Sequence, residues 1–107
     1  MVYKLHSFLS VRFPAPAAFN VTSLTWNTAI LKWHPIKRTE DIVYRIAYHS
    51  ESNIKQIFHT DTSATHFKLK GFEQLMGYFV TVRSGNGKLF GTESNKIFFI
   101  TPGMFLF

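Results

Sequence analysis

The stretch GFEQLMGYFVTVR, residues 71–83, places Tyr78 at the end of a turn and at the start of an alternating strand. A tyrosine in this position is typical of a tyrosine corner. In that motif the ring is buried and the hydroxyl hydrogen-bonds a backbone group a few residues upstream, within a Greek-key β-sandwich. The stretch therefore predicts a fold much more strongly than it predicts an activity.

Short segments that alternate apolar and polar side chains lie on both sides of this stretch, and turn residues separate them. Such alternation predicts half-buried strands. The predicted strands are residues 18–23, 29–34, 42–49, 55–59, 65–70, 78–83 and 95–101. We predict an all-β fold, a seven-stranded antiparallel Greek-key β-sandwich of the immunoglobulin-like kind. The alternation also places Trp33, Tyr44 and Tyr78 in the core, and Phe72 is predicted to lie there with them.

The chain contains a series of short motifs: Pro16, Leu24, Leu31-Lys32-Trp33, Tyr44-Arg45-Ile46-Ala47-Tyr48, Gly71-Phe72, Tyr78-Phe79-Val80 and Ser94…Thr101-Pro102. In their order and spacing the chain resembles a fibronectin type III domain over about residues 14–102. The chain departs from the family before the corner, where Gln74 and Met76 replace the usual proline and threonine. The Arg-Gly-Asp tripeptide of integrin-binding members is absent from residues 84–91.

The length of 107 residues predicts one domain. We expect residues 1–13 to be a leader, a linker or a segment added for expression, residues 14–102 to be the domain, and residues 103–107 to be an apolar tail. No apolar run reaches the ~20 residues of a membrane span, so we predict no membrane insertion by this segment. The chain contains no cysteine, which excludes disulfides and thiolate zinc sites.

Catalytic and metal-binding patterns are weak. The five histidines lie on different predicted strands and loops, without the spacing of a zinc site. The adjacent carboxylates Glu40 and Asp41 lie beside Lys37 and Arg38, which indicates a solvated charge cluster in a loop. We predict that the chain is not an enzyme and holds no metal or cofactor.

The charge balance is basic, with twelve Lys and Arg against six Asp and Glu, a formal net charge of +6 and a pI near 9.9. This balance favours acidic partners, although solubility alone also accounts for it. Two neighbouring strands are predicted to present one positive row, Lys32, His66, Lys68 and Lys70. This row is a candidate site for a polyanion, a glycosaminoglycan such as heparan sulfate, and a solvated sheet face is the alternative. We predict no nucleic-acid partner, because neither a groove-entering helix nor a stacking platform is recognisable.

A second candidate surface is predicted on the outer face of the other sheet. Its residues are Val43, Arg45, Phe79, Arg83, Phe98 and Ile100, a composition typical of protein–protein contacts. It would contact a neighbouring domain, a partner protein or a second copy, unless Phe8, Phe13 or Phe105 folds over it. A third surface is the loop tip, with Lys37, Arg38, Lys88 and Phe90 as candidate contacts.

The tripeptide Asn20-Val21-Thr22 is an N-glycosylation sequon, so Asn20 is a candidate glycan site in a secreted chain. The family resemblance implies a non-catalytic interaction or spacer module of a larger extracellular or cell-surface protein, such as an adhesion molecule or receptor. The alternative is a cytoplasmic location, as a structural module of a cytoskeletal or sarcomeric protein.

Overall fold

A computed structural model of the protein describes residues 13–38 and 40–105. Seven strands in this part of the chain form two antiparallel sheets. They are β1 (Asn20–Leu24), β2 (Thr28–Lys32), β3 (Val43–Ser50), β4 (Phe58–Thr62), β5 (His66–Lys70), β6 (Gly77–Gly85) and β7 (Ile97–Ile100). The predicted all-β sandwich is therefore confirmed.

The smaller sheet has the strand order β1-β2-β5 and the larger sheet has the order β4-β3-β6-β7. The chain crosses between the sheets after β2, after β4 and after β5. These crossings place β1 at one edge of the three-stranded sheet and β4 and β7 at the two edges of the four-stranded sheet. The expected neighbours β2 and β5 are directly paired.

Aromatic side chains fill the space between the sheets. Trp33 packs edge-on against Tyr44, with ring centroids 5.4 Å apart. The ring centroid of Phe72 lies 4.4 Å from that of Tyr78 and 5.5 Å from that of Phe99. All five side chains are buried, which confirms the four predicted core residues. Aromatic rings bury large areas and add favourable edge-to-face contacts, so these rings contribute a large part of the free energy that stabilises the core.

The tyrosine corner is present. The Tyr78 hydroxyl accepts a hydrogen bond from the Glu73 backbone N–H at 2.8 Å. The turn lacks the family's proline and threonine, and Thr101 supports it from the end of β7. The buried Thr101 hydroxyl donates to the Glu73 carbonyl at 2.6 Å and accepts from the Met76 N–H at 3.0 Å. A side chain 25 residues along the chain therefore holds this turn in place.

Strand β4 spans Phe58–Thr62, so its predicted position at residues 55–59 is wrong. Two successive turns occupy the residues before it, with the Asn53 N–H bonded to the Ser50 carbonyl and the Gln56 N–H bonded to the Asn53 carbonyl, both at 3.3 Å. Asp61 falls between the predicted strands 55–59 and 65–70, but it lies in β4, directly opposite Arg45. Their ion pair forms across this pairing.

Strand β7 spans Ile97–Ile100, which is shorter than the predicted residues 95–101. Before it, the Ser94 side chain accepts a β6 backbone hydrogen bond that a strand carbonyl would otherwise accept. The Ser94 hydroxyl accepts a hydrogen bond from the Val82 N–H at 2.9 Å, and the Ser94 N–H donates to the Val82 carbonyl at 2.8 Å. Thr81 alternates with the inward-facing Val80 and Val82, so it lies on the outer face of β6. It is buried because Glu93 folds over it and accepts a hydrogen bond from its hydroxyl at 3.0 Å.

Phe13, the last residue of the predicted leader, is fully buried and belongs to the sandwich. Its carbonyl accepts a hydrogen bond from the Thr92 N–H at 3.3 Å. Gly91 lies so close that a Cβ there would collide with the Phe13 backbone. The rest of the predicted leader, and the end of the predicted tail at residues 106–107, lie outside the described residues.

Candidate binding surfaces

Four side chains form a basic row on the outer face of the three-stranded sheet, which we call the basic stripe. They are Lys32, His66, Lys68 and Lys70, and all four are exposed. Lys32 is directly opposite His66, while Lys68 and Lys70 lie opposite Ile30 and Thr28 of β2. The strand pairing thus brings the predicted polyanion residues together on one face.

No acidic residue occurs in β1, β2 or β5, whose sequences are NVTSL, TAILK and HFKLK. The stripe side chains make no ion pair or hydrogen bond with any other residue in the described ranges. The positive charges of the three lysines are therefore directed into solvent.

Strand geometry sets the spacing of these basic side chains. Alternate residues on one strand are about 6.8 Å apart, so His66, Lys68 and Lys70 extend over roughly 13 Å along β5. Lys32 adds a charge beside this line, with its Cβ about 5 Å from that of His66. The result is a row of basic side chains along one face of the three-stranded sheet.

The outer face of the four-stranded sheet has an apolar end. The Phe79 ring lies between His49, stacked at 5.2 Å, and Phe98, tilted at 4.8 Å. Lys96 extends over the same ring, with its Nζ 5.8 Å from the centroid. Phe98 and Ile100 remain 44% and 57% exposed, so this end presents apolar surface to solvent.

The other end of that face is a row of paired charges. Arg45 and Arg83 are cross-strand neighbours. Arg45 binds Asp61 through two hydrogen bonds of 2.8 and 3.0 Å, and Arg83 lies 3.5 Å from Glu93. The hydrogen bond from Arg45 holds the pKa of Asp61 below its ordinary value, and the same bond raises the pKa of Arg45. The two arginines, predicted as contacts for a partner, are thus already paired within the chain.

The six residues predicted for this face do not form one patch. Val43 pairs with Gly85 at one end of β6, whereas Ile100 pairs with Gly77 at the other end. Phe13 is buried near Gly91, and Phe105 is 90% exposed, so neither covers Phe98. Phe8 lies outside the described residues.

Three of the four residues predicted for the loop tip lie in the loops at that end of the sandwich. Lys37, Arg38 and Lys88 are exposed in the loops at the end of the sandwich where β3 begins and β6 ends. Phe90 instead lies under the Arg45 guanidinium, whose carbon is 4.2 Å from the ring centroid. It therefore belongs to the charged row rather than to the tip.

Three further residues belong to this face and were not predicted from the sequence: His49, Asp61 and Glu93. Asp61 was missed because the predicted strand ended at residue 59. A strand that extends to residue 61 places Asp61 opposite Arg45. Nothing local in the sequence indicates that Glu93 folds onto Thr81 and Arg83.

Asn20 lies on the edge strand β1 and is exposed. Among the described residues, no group of three His, Asp or Glu could hold a metal ion. The same residues form no helix long and apolar enough to cross a membrane.

The family model described as fibronectin type III domain matches residues 14–100. The chain belongs to the fibronectin type III family. Fibronectin type III domains are commonly protein-interaction or spacer modules and are generally non-enzymatic. No protein with a curated description matches this fibronectin type III chain.

Solved structures agree with this assignment. The third fibronectin III domain of human KIAA0343 protein is 30% identical, with 82% of this chain and 81% of that chain covered and a TM-score of 0.69. The FN5 domain of Drosophila Lar is 22% identical, with 83% and 96% covered and a TM-score of 0.70. A structure titled "Myokine structure" is 21% identical, with 83% and 97% covered and a TM-score of 0.73. The last two similarities show the fibronectin type III fold.

Proposed function

We propose that this domain is a non-catalytic interaction module of an extracellular or cell-surface protein and that it binds a sulfated polysaccharide of the heparan sulfate type. The site is the basic stripe, Lys32, His66, Lys68 and Lys70. The family membership supports an interaction module in general terms, and the stripe supports the ligand class.

The observation that carries the proposal is the separation of charge between the two sheets. The three-stranded sheet contributes lysines and no acidic residue. On the four-stranded sheet, Arg45 and Arg83 are paired with Asp61 and Glu93. A net charge spread evenly for solubility would show no such separation. The field from the stripe therefore favours a polyanion that lies along β5.

The shape of the stripe favours a sulfated polysaccharide over a nucleic acid. Single-stranded nucleic acids bind by stacking their bases on exposed aromatic side chains. Apart from His66, the strands of this sheet contain one aromatic residue, Phe67, which packs against the core. A polysaccharide with charged groups along its length needs only cations, and the lysines on the outer face of this sheet supply them.

The test is heparin-affinity chromatography of the variant Lys68→Glu/Lys70→Glu. Removal of two contacts and introduction of two repulsive charges should weaken binding by about tenfold or more and lower the salt concentration needed for elution. The matched control is Lys88→Glu/Lys96→Glu, which changes two exposed lysines outside the stripe and lowers the net charge by the same amount. We expect the control to elute close to the wild type.

Two results would overturn this proposal. If both double variants lose affinity equally, net charge rather than the stripe attracts heparin. If a single-stranded oligonucleotide of matched charge binds more tightly than a heparin oligosaccharide, the ligand class is wrong. Unchanged thermal unfolding of the variants establishes that each of them is folded.

A further inference from the structure

The candidate glycan site and the basic stripe lie in one row across the three-stranded sheet. Asn20 of β1 is the direct partner of Lys32 in β2, and Lys32 is the direct partner of His66 in β5. Directly opposite residues in antiparallel strands point to the same face, with their Cβ atoms about 5 Å apart. Asn20 therefore projects from the stripe's own surface, next to Lys32.

The side chains around this row agree with that orientation. Val21 follows Asn20 and packs against the core, so the alternation turns Asn20 outward. The bulge in β1 lies between Val21 and Ser23, beyond the Asn20 pairing, and leaves it undisturbed. The Asn20 carboxamide makes no hydrogen bond to another residue in the described ranges. It is available for modification.

We infer that an N-linked glycan on Asn20 blocks the polyanion site, so that glycosylation sets whether this domain binds heparan-type chains. This inference rests on the proposed function of the stripe. A glycan is bulky and hydrophilic. Attached beside Lys32, it occupies the space that a polysaccharide needs above Lys32 and His66. Lys68 and Lys70 lie about 7 and 13 Å further along the strands, so the blockage weakens with distance from Asn20.

The rival role of the glycan is protection of an edge strand. β1 is the outer strand of its sheet, and a glycan there also prevents pairing with another chain. The two roles differ in what they predict for heparin. Edge protection changes self-association and leaves heparin affinity unaltered, whereas blockage of the stripe lowers heparin affinity in a monomer.

The experiment compares forms of the domain produced in one secretory host. The glycosylated wild type is compared with Asn20→Gln and with Thr22→Ala, which removes the sequon and keeps the asparagine. Mass spectrometry measures glycan occupancy, and heparin chromatography measures the elution salt. We expect the glycosylated form to bind at least about threefold more weakly than both variants. We also expect enzymatic trimming to a single sugar to restore part of the affinity.

A displaced glycan provides the matched control. Asn20→Gln/Lys88→Thr creates a sequon at Asn86, in the exposed loop after β6 of the four-stranded sheet. If a glycan at Asn86 weakens heparin binding as much as one at Asn20, proximity to Lys32 is irrelevant and the inference is wrong. The inference is also wrong if Asn20 is unoccupied in the secreted protein, or if the glycosylated wild type and Asn20→Gln elute at the same salt.

Failure of the inference is distinguishable from failure of the proposed function. If the unglycosylated Asn20→Gln form does not bind heparin at all, the polyanion proposal fails, and the glycan inference fails with it. If that form binds and the glycosylated form binds equally well, the polyanion proposal stands and only the glycan inference is overturned.

Discussion

At the scale of single residues, Tyr78 links sequence to fold through one hydrogen bond. Its hydroxyl accepts from the Glu73 N–H, and its ring packs against Phe72 and Phe99. The position of Tyr78 between a turn and an alternating strand predicted this contact. The contribution of Thr101 was not predictable from the local sequence, because the residue reaches the turn from the far end of β7.

The variant Tyr78→Phe keeps the ring and removes the hydroxyl. It leaves the Glu73 N–H without its partner, so we expect a loss of about 1–2 kcal/mol in the free energy of unfolding. Urea denaturation measures this loss. The matched control is Tyr48→Phe, since the half-buried Tyr48 hydroxyl makes no hydrogen bond in the described ranges. Equal losses in the two variants would contradict the role assigned to the corner.

At the scale of secondary-structure elements, the edge strand β4 is tied to the sheet by charge as well as by its backbone. Asp61 offsets the repulsion between Arg45 and Arg83, which are direct cross-strand neighbours. Like charges in that arrangement are destabilising. The sequence Asp61-Thr62-Ser63 indicates a turn when it is considered alone, and only the pairing with β3 shows why Asp61 is a strand residue.

The variant Asp61→Asn should be less stable than the wild type near neutral pH by about 0.5 kcal/mol, a magnitude typical of exposed ion pairs. The folded protein holds the pKa of Asp61 below its ordinary value, chiefly through the Arg45 hydrogen bond. The stabilisation is therefore present above the unfolded pKa of about 3.9 and is lost as the pH falls through the lower, folded pKa.

Urea midpoints measured at about pH 7 and about pH 3 check this pH dependence. The gap between wild type and Asp61→Asn should narrow at the lower pH. Asp41→Asn is the control, because this exposed loop carboxylate makes no ion pair among the described residues. A gap of the same size at both pH values would show that the charge of Asp61 is not the cause.

At the scale of the whole molecule, alternation predicted the two-sheet architecture because one buried face fixes the register of each strand. The same logic correctly placed Lys32, His66, Lys68 and Lys70 on one surface. Alternation did not predict contacts between side chains that are far apart in the sequence. Phe13 completes the core beside Gly91, and Phe90 lies under Arg45. Those contacts depend on how loops close over the sheets, which no local pattern encodes.

The outer faces of the two sheets therefore differ in whether their cations are paired with carboxylates. The four-stranded sheet neutralises its own arginines and leaves a small apolar end around Phe98. The three-stranded sheet leaves its cations unpaired and carries the sequon beside them. This asymmetry is the basis for assigning polyanion binding to the three-stranded sheet.

The most direct test of that assignment is an NMR titration of the ¹⁵N-labelled, unglycosylated domain with a heparin oligosaccharide. Binding to the stripe predicts the largest amide shift changes in β2 and β5, around Lys32 and from His66 to Lys70. Changes confined to the loop tip at Lys37, Arg38 and Lys88, or no changes under saturating oligosaccharide, would contradict the account.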